Sequence, residues 1–378
     1  MIVSLFGWLL LLLALAGCGY TLAAARAVRR FFSGIAPAPK SSAPVTVLKP
    51  LYGAEPRLVD NLATFLEQDH AGRVQLLCGV ADARDPAALA VAVLKQRYPT
   101  ARIDLVVDAR RHGSNGKVSN LVNMASAIAH DVVVLSDSDM AVPPDYLSAL
   151  VEAVERPGVG VVTCLYRGRG DAGPRSRMAA AGLSYRFLLD ATFASVSGQI
   201  GDACMGSTIA LRRETLERIG GFARFADVLA DDHAIGQAVR ATGQAIHVPA
   251  LLLTHASEET TLAAVWAHEV RWAATVRQVT PPLAYAGVLV THPLPLALLG
   301  AVAHPVTGLT VMLLALAARV VAADAVDRTA GERTAPWWWL PARDLLSFGV
   351  YLASFGVRRV EWRGAKLRMA ADGRMEAA

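Results

Sequence analysis

Apolar positions fall into three regimes along the chain. From Ile2 to Ala25 they form one long, mostly apolar and uncharged run, and about 20 such residues suffice to cross a hydrocarbon core. Between Pro44 and Ala250 they break into short β-rich runs alternating with helix-like runs, the pattern of a mostly parallel sheet covered by helices. Strands are predicted over 45–48, 74–80, 103–107, 132–135 and 159–164. Helices are predicted over 56–67, 86–97, 118–129 and 144–154, and prolines such as Pro86 suit a first helical turn. Beyond Pro281 the runs lengthen again. Segments 283–303 and 306–323 read as two apolar crossings meeting at His304-Pro305, with Pro293 and Pro295 interrupting the first. Segment 337–357 carries Arg343 and Asp344, charges that are costly in lipid unless paired or shielded, so it is expected to lie at the interface or to re-enter.

Four regions follow: a membrane anchor at 1–30, an α/β catalytic domain at 40–280, membrane or interfacial helices at 281–357, and a basic tail at 358–378. Arg26, Arg29, Arg30 and Lys40 follow the first apolar run, and positive residues stay on the cytoplasmic side. The catalytic domain is therefore expected in the cytoplasm of a multi-pass bacterial inner-membrane protein. Leu15-Ala16-Gly17-Cys18 resembles a lipoprotein processing box, but a signal peptide carries its positive charge before the apolar stretch. Here the charge comes after it.

Composition supports the membrane reading, with 54% hydrophobic and 18% charged residues. The net charge of +5 is modest, and the basic clusters beside apolar segments read as topology signals and anionic-lipid contacts. No basic stripe with interleaved aromatics accompanies them, so nucleic acid is not an expected partner. The four cysteines, Cys18, Cys78, Cys164 and Cys204, lack C-x-x-C spacing. They suggest neither a zinc site nor a disulfide framework.

The chemistry centres on Asp137-Ser138-Asp139, directly after the 132–135 strand, where open α/β sheets bind ligands. Two carboxylates one residue apart can share Mg2+ or Mn2+, which neutralises phosphate oxygens. Two acids in a turn are also ordinary solvated or capping residues. Asp82 closes the 74–80 strand on the same edge and suits a nucleoside contact; a helix cap is its bland alternative, a role Asp85 fills more naturally. Gly113-Ser114-Asn115-Gly116-Lys117 precedes a helix, where glycines and a lysine suit phosphate, though a bare turn has the same composition. Asp231-Asp232-His233 opens a helix-like run, as caps or as a general base. His268-Glu269-Val270-Arg271-Trp272 is either an interfacial anchor or a diphosphate and sugar contact. Cys204 and Met205 either fill core or line an acceptor groove.

The order Asp82, Asp137-Ser138-Asp139, Asp232, Arg271-Trp272 resembles the D, D, D, (Q/R)-x-x-R-W series of family 2 glycosyltransferases and the related family 21 ceramide glucosyltransferases. The stretches Leu48-Lys49-Pro50-Leu51-Tyr52-Gly53, Gly113 to Lys117 and Asp231-Asp232 carry the same likeness. Within that group, Cys204-Met205-Gly206-Ser207-Thr208 and Thr291-His292-Pro293-Leu294-Pro295 resemble the bacterial hopanoid-biosynthesis-associated glycosyltransferases. The resemblance implies a GT-A fold and inverting transfer of N-acetylglucosamine from its UDP donor to a hydroxyl of bacteriohopanetetrol, a membrane lipid. It implies Asp82, Lys117, Asp137, Ser138 and His268 as donor contacts, Asp137 and Asp139 as the divalent metal site, Asp232 as base, and Arg271 with Trp272 as a closing motif. His268 departs from the family's Gln or Arg. Rival readings are a UDP-glucose enzyme acting on ceramide or diacylglycerol, a processive polysaccharide synthase, and a non-catalytic membrane scaffold.

Overall fold

Strands form where valine, leucine and isoleucine runs are bounded by turn residues. The computed structural model describes residues 2–34, 41–198, 204–357, 359–362, 365–369 and 375–377. They divide into two compact units, one drawn from 35–166, 200–258 and 361–378, the other from 1–34, 167–199 and 259–360. Segment 167–199, inside the range expected for the catalytic domain, belongs to the second.

The first unit is built on β1 (Val45–Pro50), β2 (Val74–Val80), β3 (Arg102–Val107), β4 (Val132–Leu135), β5 (Met140–Ala141) and β6 (Val159–Val162). The strand β7 (Leu165–Gly170) carries the chain out after Tyr166, and β8 (Ile209–Arg212), β9 (Ala245–His247) and β10 (Leu252–Ser257) follow. Seven of them form one sheet in the order β3-β2-β1-β4-β8-β6-β9. The first four are mutually parallel, and β8 runs antiparallel between β4 and β6. This is the mostly parallel sheet expected, with an antiparallel insertion that a four-residue run does not announce.

Every residue of β1 is buried, as in a central strand covered on both faces. Val45 and Val47 join Leu76, Val132 and Val134 against Leu62, Val91 and Leu150 of three helices, Leu58–Ala63, Pro86–Arg97 and Tyr146–Val154. Leu48, Leu77, Val133 and Leu135 point the other way, onto Leu121 and Val239 of the helices Gly116–Met124 and Asp231–Ala241. Each fully buried Leu or Val contributes about 1.5–3 kcal/mol. Asp85 caps the Pro86–Arg97 helix by accepting from the Ala87 N–H at 2.9 Å, as its spacing suggested. The 56–67 helix is shorter than expected: it starts at Leu58, after Arg57 at φ 58°, and ends at Ala63. The 118–129 helix tightens after Met124 into a 3₁₀ turn, Ala125–Ala127.

The second unit is helical. Helices Val3–Phe32 and Pro305–Ala330 are, among the described residues, long and apolar enough to cross a membrane, and at 1.5 Å per residue each exceeds the roughly 30 Å core. The 283–303 run is not one helix: Pro282–Thr291 and Pro293–Ala301 meet at a 72° bend. Pro293 starts the second piece, where its missing N–H is harmless. The first helix packs on both later ones through small residues; a Cβ on Gly17 would lie 2.3 Å from the Val290 carbonyl. The helix Leu340–Ser354 buries Arg343 and Asp344, and both are paired. Much of the basic tail lies outside the described residues.

Candidate active site

The site grows from the carboxyl edge of the sheet, where parallel β2, β1 and β4 all end. Leaving β4, the chain turns sharply, with the Met140 N–H reaching the Asp137 carbonyl at 3.4 Å. The triplet Asp137-Ser138-Asp139 occupies that turn and is held from several directions. Lys49, buried near the end of β1, donates to Ser136 Oγ at 3.0 Å and to the Asp137 carbonyl at 2.7 Å. Its ammonium also lies 3.5 Å from the Phe65 ring centroid. Ser138 Oγ donates to Glu55 Oε1 at 2.6 Å. Asp139 Oδ2 meets His255 Nε2 at 3.1 Å, and the Asp139 carbonyl accepts from the Ala256 N–H at 2.8 Å, fixed by pairing of β5 with β10.

Lys117 and Asp232 complete the cluster. Lys117 Nζ lies 2.7 Å from Asp137 Oδ1 and 3.3 Å from Asp231 Oδ2. The loop before it is spent on anchoring: Asn115 caps its own helix by accepting from Val118 N–H. Asn115 also ties to the Ala226 and Val228 carbonyls, and Ser114 ties to Asp227. At the other side, residues 205–208 form a tight turn with a bridge between Met205 and Thr208. Gly206 sits at its centre. Its N–H donates to Asp232 Oδ2 at 3.0 Å, and its carbonyl accepts from the Asp137 N–H at 3.3 Å. One backbone unit thus joins the triplet to Asp232, whose other oxygen accepts from the His233 N–H at 2.8 Å.

The electrostatics are those of an anion-rich site. Burial pushes the Asp232 carboxyl up and Asp231 adds to the shift; Lys117 partly offsets them, leaving it at about 6. Burial likewise raises Asp137, against Lys117 and with Asp139. Burial disfavours the Lys117 ammonium, yet Asp137, Asp231 and Asp232 outweigh that and hold it above the ordinary lysine value. Acids shifted up beside a lysine shifted up mean that carboxylates outnumber the cations holding them. Among the described residues no three His, Cys, Asp or Glu side chains converge on one metal point. The donor set nevertheless fits a hard cation: Asp137 and Asp139 offer carboxylate oxygens, and Gly206 leaves the space beside Asp137 Oδ2 that a Cβ would fill at 2.6 Å.

The other candidates are placed as follows. Asp82 lies exposed at the exit of β2, paired with Arg84 at 2.7 Å, and the Arg84 hydrogen bonds lower its carboxyl to about 2. Cys204 and Met205 are buried, Cys204 within the sheet core. His268, Arg271 and Trp272 stand on the helix Leu262–Val279 of the helical unit. His268 Nδ1 is 2.5 Å from Glu259 Oε1, and the Trp272 ring lies 5.2 Å from that of Phe187. Lys49 and Gly206 entered the sequence reading only inside family-like stretches with no role given, and Glu55 and His255 did not enter it. Only Lys49 left a signal, a lysine inside an otherwise apolar strand.

A family sequence model described as Glycosyl transferase family 21 matches residues 9–375. The chain belongs to that family. Among curated relatives, this family 21 chain is 24% identical over 203 residues to ceramide glucosyltransferase 1 of Caenorhabditis elegans, covering 53% of the chain and 42% of the relative. It is 32% identical over 125 residues to the ceramide glucosyltransferase of Komagataella phaffii, covering 32% of the chain and 24% of the relative. The matches thus span less than half the length of either relative. Among solved structures it resembles the mannosyltransferase PcManGT from Pyrobaculum calidifontis, solved with GDP-Man and Mn2+. That likeness has a TM-score of 0.55 and 22% identity, covering 93% of this chain and 99% of that one. The fold is GT-A-like.

In this family 21 chain Lys49 is the mechanical support of the triplet, which yields a direct expectation. Lys49→Met keeps most of the buried stem but removes the ammonium from Ser136 Oγ and from the Asp137 carbonyl, which keeps only the long 3.4 Å Met140 N–H contact. It should cost about 1–3 kcal/mol of stability, seen as a lower melting temperature in detergent.

Proposed function

We propose that the chain is an inverting glycosyltransferase that moves N-acetylglucosamine from UDP-N-acetylglucosamine to a hydroxyl of bacteriohopanetetrol. We place it in the bacterial inner membrane with its sheet unit facing the cytoplasm. The observation that carries the reading is Asp232. It is a carboxylate tuned to about 6, held by two backbone N–H groups and joined through Gly206 to Asp137. A base with a pKa near the working pH is what activation of an acceptor hydroxyl requires.

In the proposed step the acceptor oxygen attacks the anomeric carbon as its proton passes to an Asp232 oxygen. The bond from that carbon to the diphosphate breaks, and UDP leaves with the electron pair. Asp137 and Asp139 would hold the divalent cation, which when bound supplies charge neutralisation for the diphosphate. Lys117 adds positive charge beside Asp137, Lys49 fixes the turn, and Ser138 ties it to the Glu55 loop. Asp82 is the nucleoside contact, and Arg271 with Trp272 is the closing motif of the reaction. His268, engaged by Glu259, has the weakest claim on the donor. Mn2+ and a nucleotide sugar in the complex of PcManGT support the cation and donor class. The names of the curated relatives support a lipid acceptor and are compatible with a second reading, UDP-glucose with ceramide.

Lipid mass spectrometry of a deletion strain and its complemented parent separates these readings. The expected result is loss of an N-acetylhexosamine-bearing hopanoid and its return on complementation. Loss of a hexosylceramide would transfer the assignment to the second reading, and an unchanged lipid profile would overturn both. With purified protein, EDTA should abolish UDP release and Mn2+ or Mg2+ should restore it.

A further inference from the structure

Three charged side chains buried in the helical unit, Arg319, Arg343 and Asp344, and the half-buried Glu269 have no role in the chemistry above. Arg319, Arg343 and Asp344 are 7%, 3% and 6% exposed. Ion pairs this deep gain little net stability over apolar packing. Their geometry is specific. Arg343 grips Glu269 with two parallel hydrogen bonds, 2.8 Å to Oε1 and 2.5 Å to Oε2, and donates to Ser347 Oγ at 3.1 Å. The next residue, Asp344, accepts from Arg319 Nε at 3.0 and 2.9 Å. Arg319 Nη1 then donates to the Tyr185 carbonyl at 2.8 Å.

Tyr185 lies in a wide π-helical turn, Leu183–Phe187, where the Leu188 N–H reaches back to the Leu183 carbonyl. Such turns are rare and occur often at functional sites. Two residues on, Phe187 packs its ring 5.2 Å from that of Trp272 at 60°. Trp272 stands on the same helix as Glu269 and three residues later, so on a neighbouring face. The contacts therefore close a ring: Glu269, Arg343-Asp344, Arg319, Tyr185 to Phe187, and Trp272. Gly182, at the entry to the wide turn, makes room for it, since a Cβ there would lie 2.6 Å from Arg343 Nη2.

We infer that this ring is a positioning frame for the Arg271-Trp272 motif, with Glu269 and Arg343 as positioning residues. The inference rests on the proposed role of Arg271 and Trp272 in the reaction. The Glu269 grip sets rotation and height of the Leu262–Val279 helix, and the Phe187 contact sets the indole. A misplacement of about 1 Å can cost on the order of 100-fold in rate, so a frame of fork-like ion pairs suits this task better than lipid-facing leucines would.

The test is a double-mutant cycle on the full chain in detergent, read as kcat for UDP release with UDP-N-acetylglucosamine and a total lipid extract of the source cells. Calorimetric UDP binding reports that the sheet unit is intact. Glu269→Gln and Arg343→Lys should each lower kcat about 10- to 100-fold with UDP binding unchanged. The charge-exchanged pair Glu269→Arg with Arg343→Glu should recover part of the loss. In a Trp272→Ala background, Glu269→Gln should lose less than it does alone, because the part of its effect that passes through the indole is already gone. Where Glu269→Gln does not yield folded protein, Arg343→Lys and Phe187→Leu carry the same cycle. Wild-type kcat in Glu269→Gln and Arg343→Lys, or losses that multiply fully in the Trp272→Ala background, would overturn the frame. Wild-type kcat in Trp272→Ala itself would overturn the role of the motif and remove the frame's basis.

Discussion

Asp232→Asn should lower kcat by about 10²- to 10⁴-fold, the range over which a positioned base contributes, while binding of the UDP-sugar changes little. The carboxylate sits between two backbone donors, Gly206 N–H at 3.0 Å and His233 N–H at 2.8 Å. Asparagine can satisfy one with its oxygen but turns its NH₂ toward the other, so Asp232→Ala should accompany it as a variant without that conflict. The same carboxyl predicts the pH profile. Burial first and Asp231 second raise it to about 6, with Lys117 opposing, and only the ionised form accepts a proton. The log of kcat/KM should therefore rise with unit slope below about pH 6 and level off above it. Stability runs the other way. A carboxyl raised in the folded state favours folding when protonated, so its contribution is complete below the ordinary value of 3.8 and is lost as pH rises through about 6. The ionised Asp232 carboxylate is thus present at neutral pH at the expense of stability. An ascending limb that persists unchanged in the Asp232→Asn variant would assign the titration to another group, and near-wild-type turnover would remove Asp232 from the reaction.

Much of the sheet unit was legible because its signals are local. Val132 to Leu135 is a short apolar run stopped by Ser136 and three polar residues, which determines both a buried strand and an acid-bearing exit. The capping of Pro86–Arg97 by Asp85 was readable from the Asp-Pro pair. What sequence did not supply depends on pairing between distant segments. Ile209–Arg212 is four residues long and is a strand only because β4 and β6 flank it. His255 reaches Asp139 through the register of β10 on β5, and Glu55 reaches Ser138 across 83 residues. Neither partner carries a local mark. The helical unit divides the same way. The interruption expected at Pro293 within 283–303 is a local signal, and the structure bends 72° where that proline starts a new helix. Arg343 and Asp344 looked anomalous in an apolar run until Glu269 and Arg319 supplied their partners.

Gly206→Ala should lower kcat/KM about 100-fold, a loss comparable to removing a charged residue, although it adds only a methyl group. Gly206 is not among the glycines with positive φ, so the position requires space and not an unusual backbone. The added carbon would lie 2.6 Å from Asp137 Oδ2 and 3.5 Å from Lys117 Nζ. Asp137 cannot easily yield, because its carbonyl is tied to Lys49, its N–H to the Gly206 carbonyl and its other oxygen to Lys117. The turn carrying Gly206 cannot easily yield either. Met205 is fixed on Thr163 Oγ1 at 2.8 Å, Ser207 on the Cys164 carbonyl at 2.8 Å, and Thr208 on the Tyr146 hydroxyl at 2.8 Å. Relief must come from rotation of the Asp137 carboxylate or from a shift of the Gly206 N–H that holds Asp232, and either disturbs the chemistry. Overpacking of this kind costs about 1–3 kcal/mol, so the protein should remain folded with a reduced melting temperature. On the proposed roles of Asp137 and Asp232, Mn2+ titration separates the two routes of relief: weakened binding follows carboxylate rotation, whereas intact binding with a displaced pH limb follows the shift at Asp232. Gly19→Ala, where an added Cβ meets nothing within 4 Å, is the control and should keep wild-type turnover. Wild-type kcat/KM in Gly206→Ala would mean that neither the Asp137 carboxylate nor Asp232 needs the place this turn gives it.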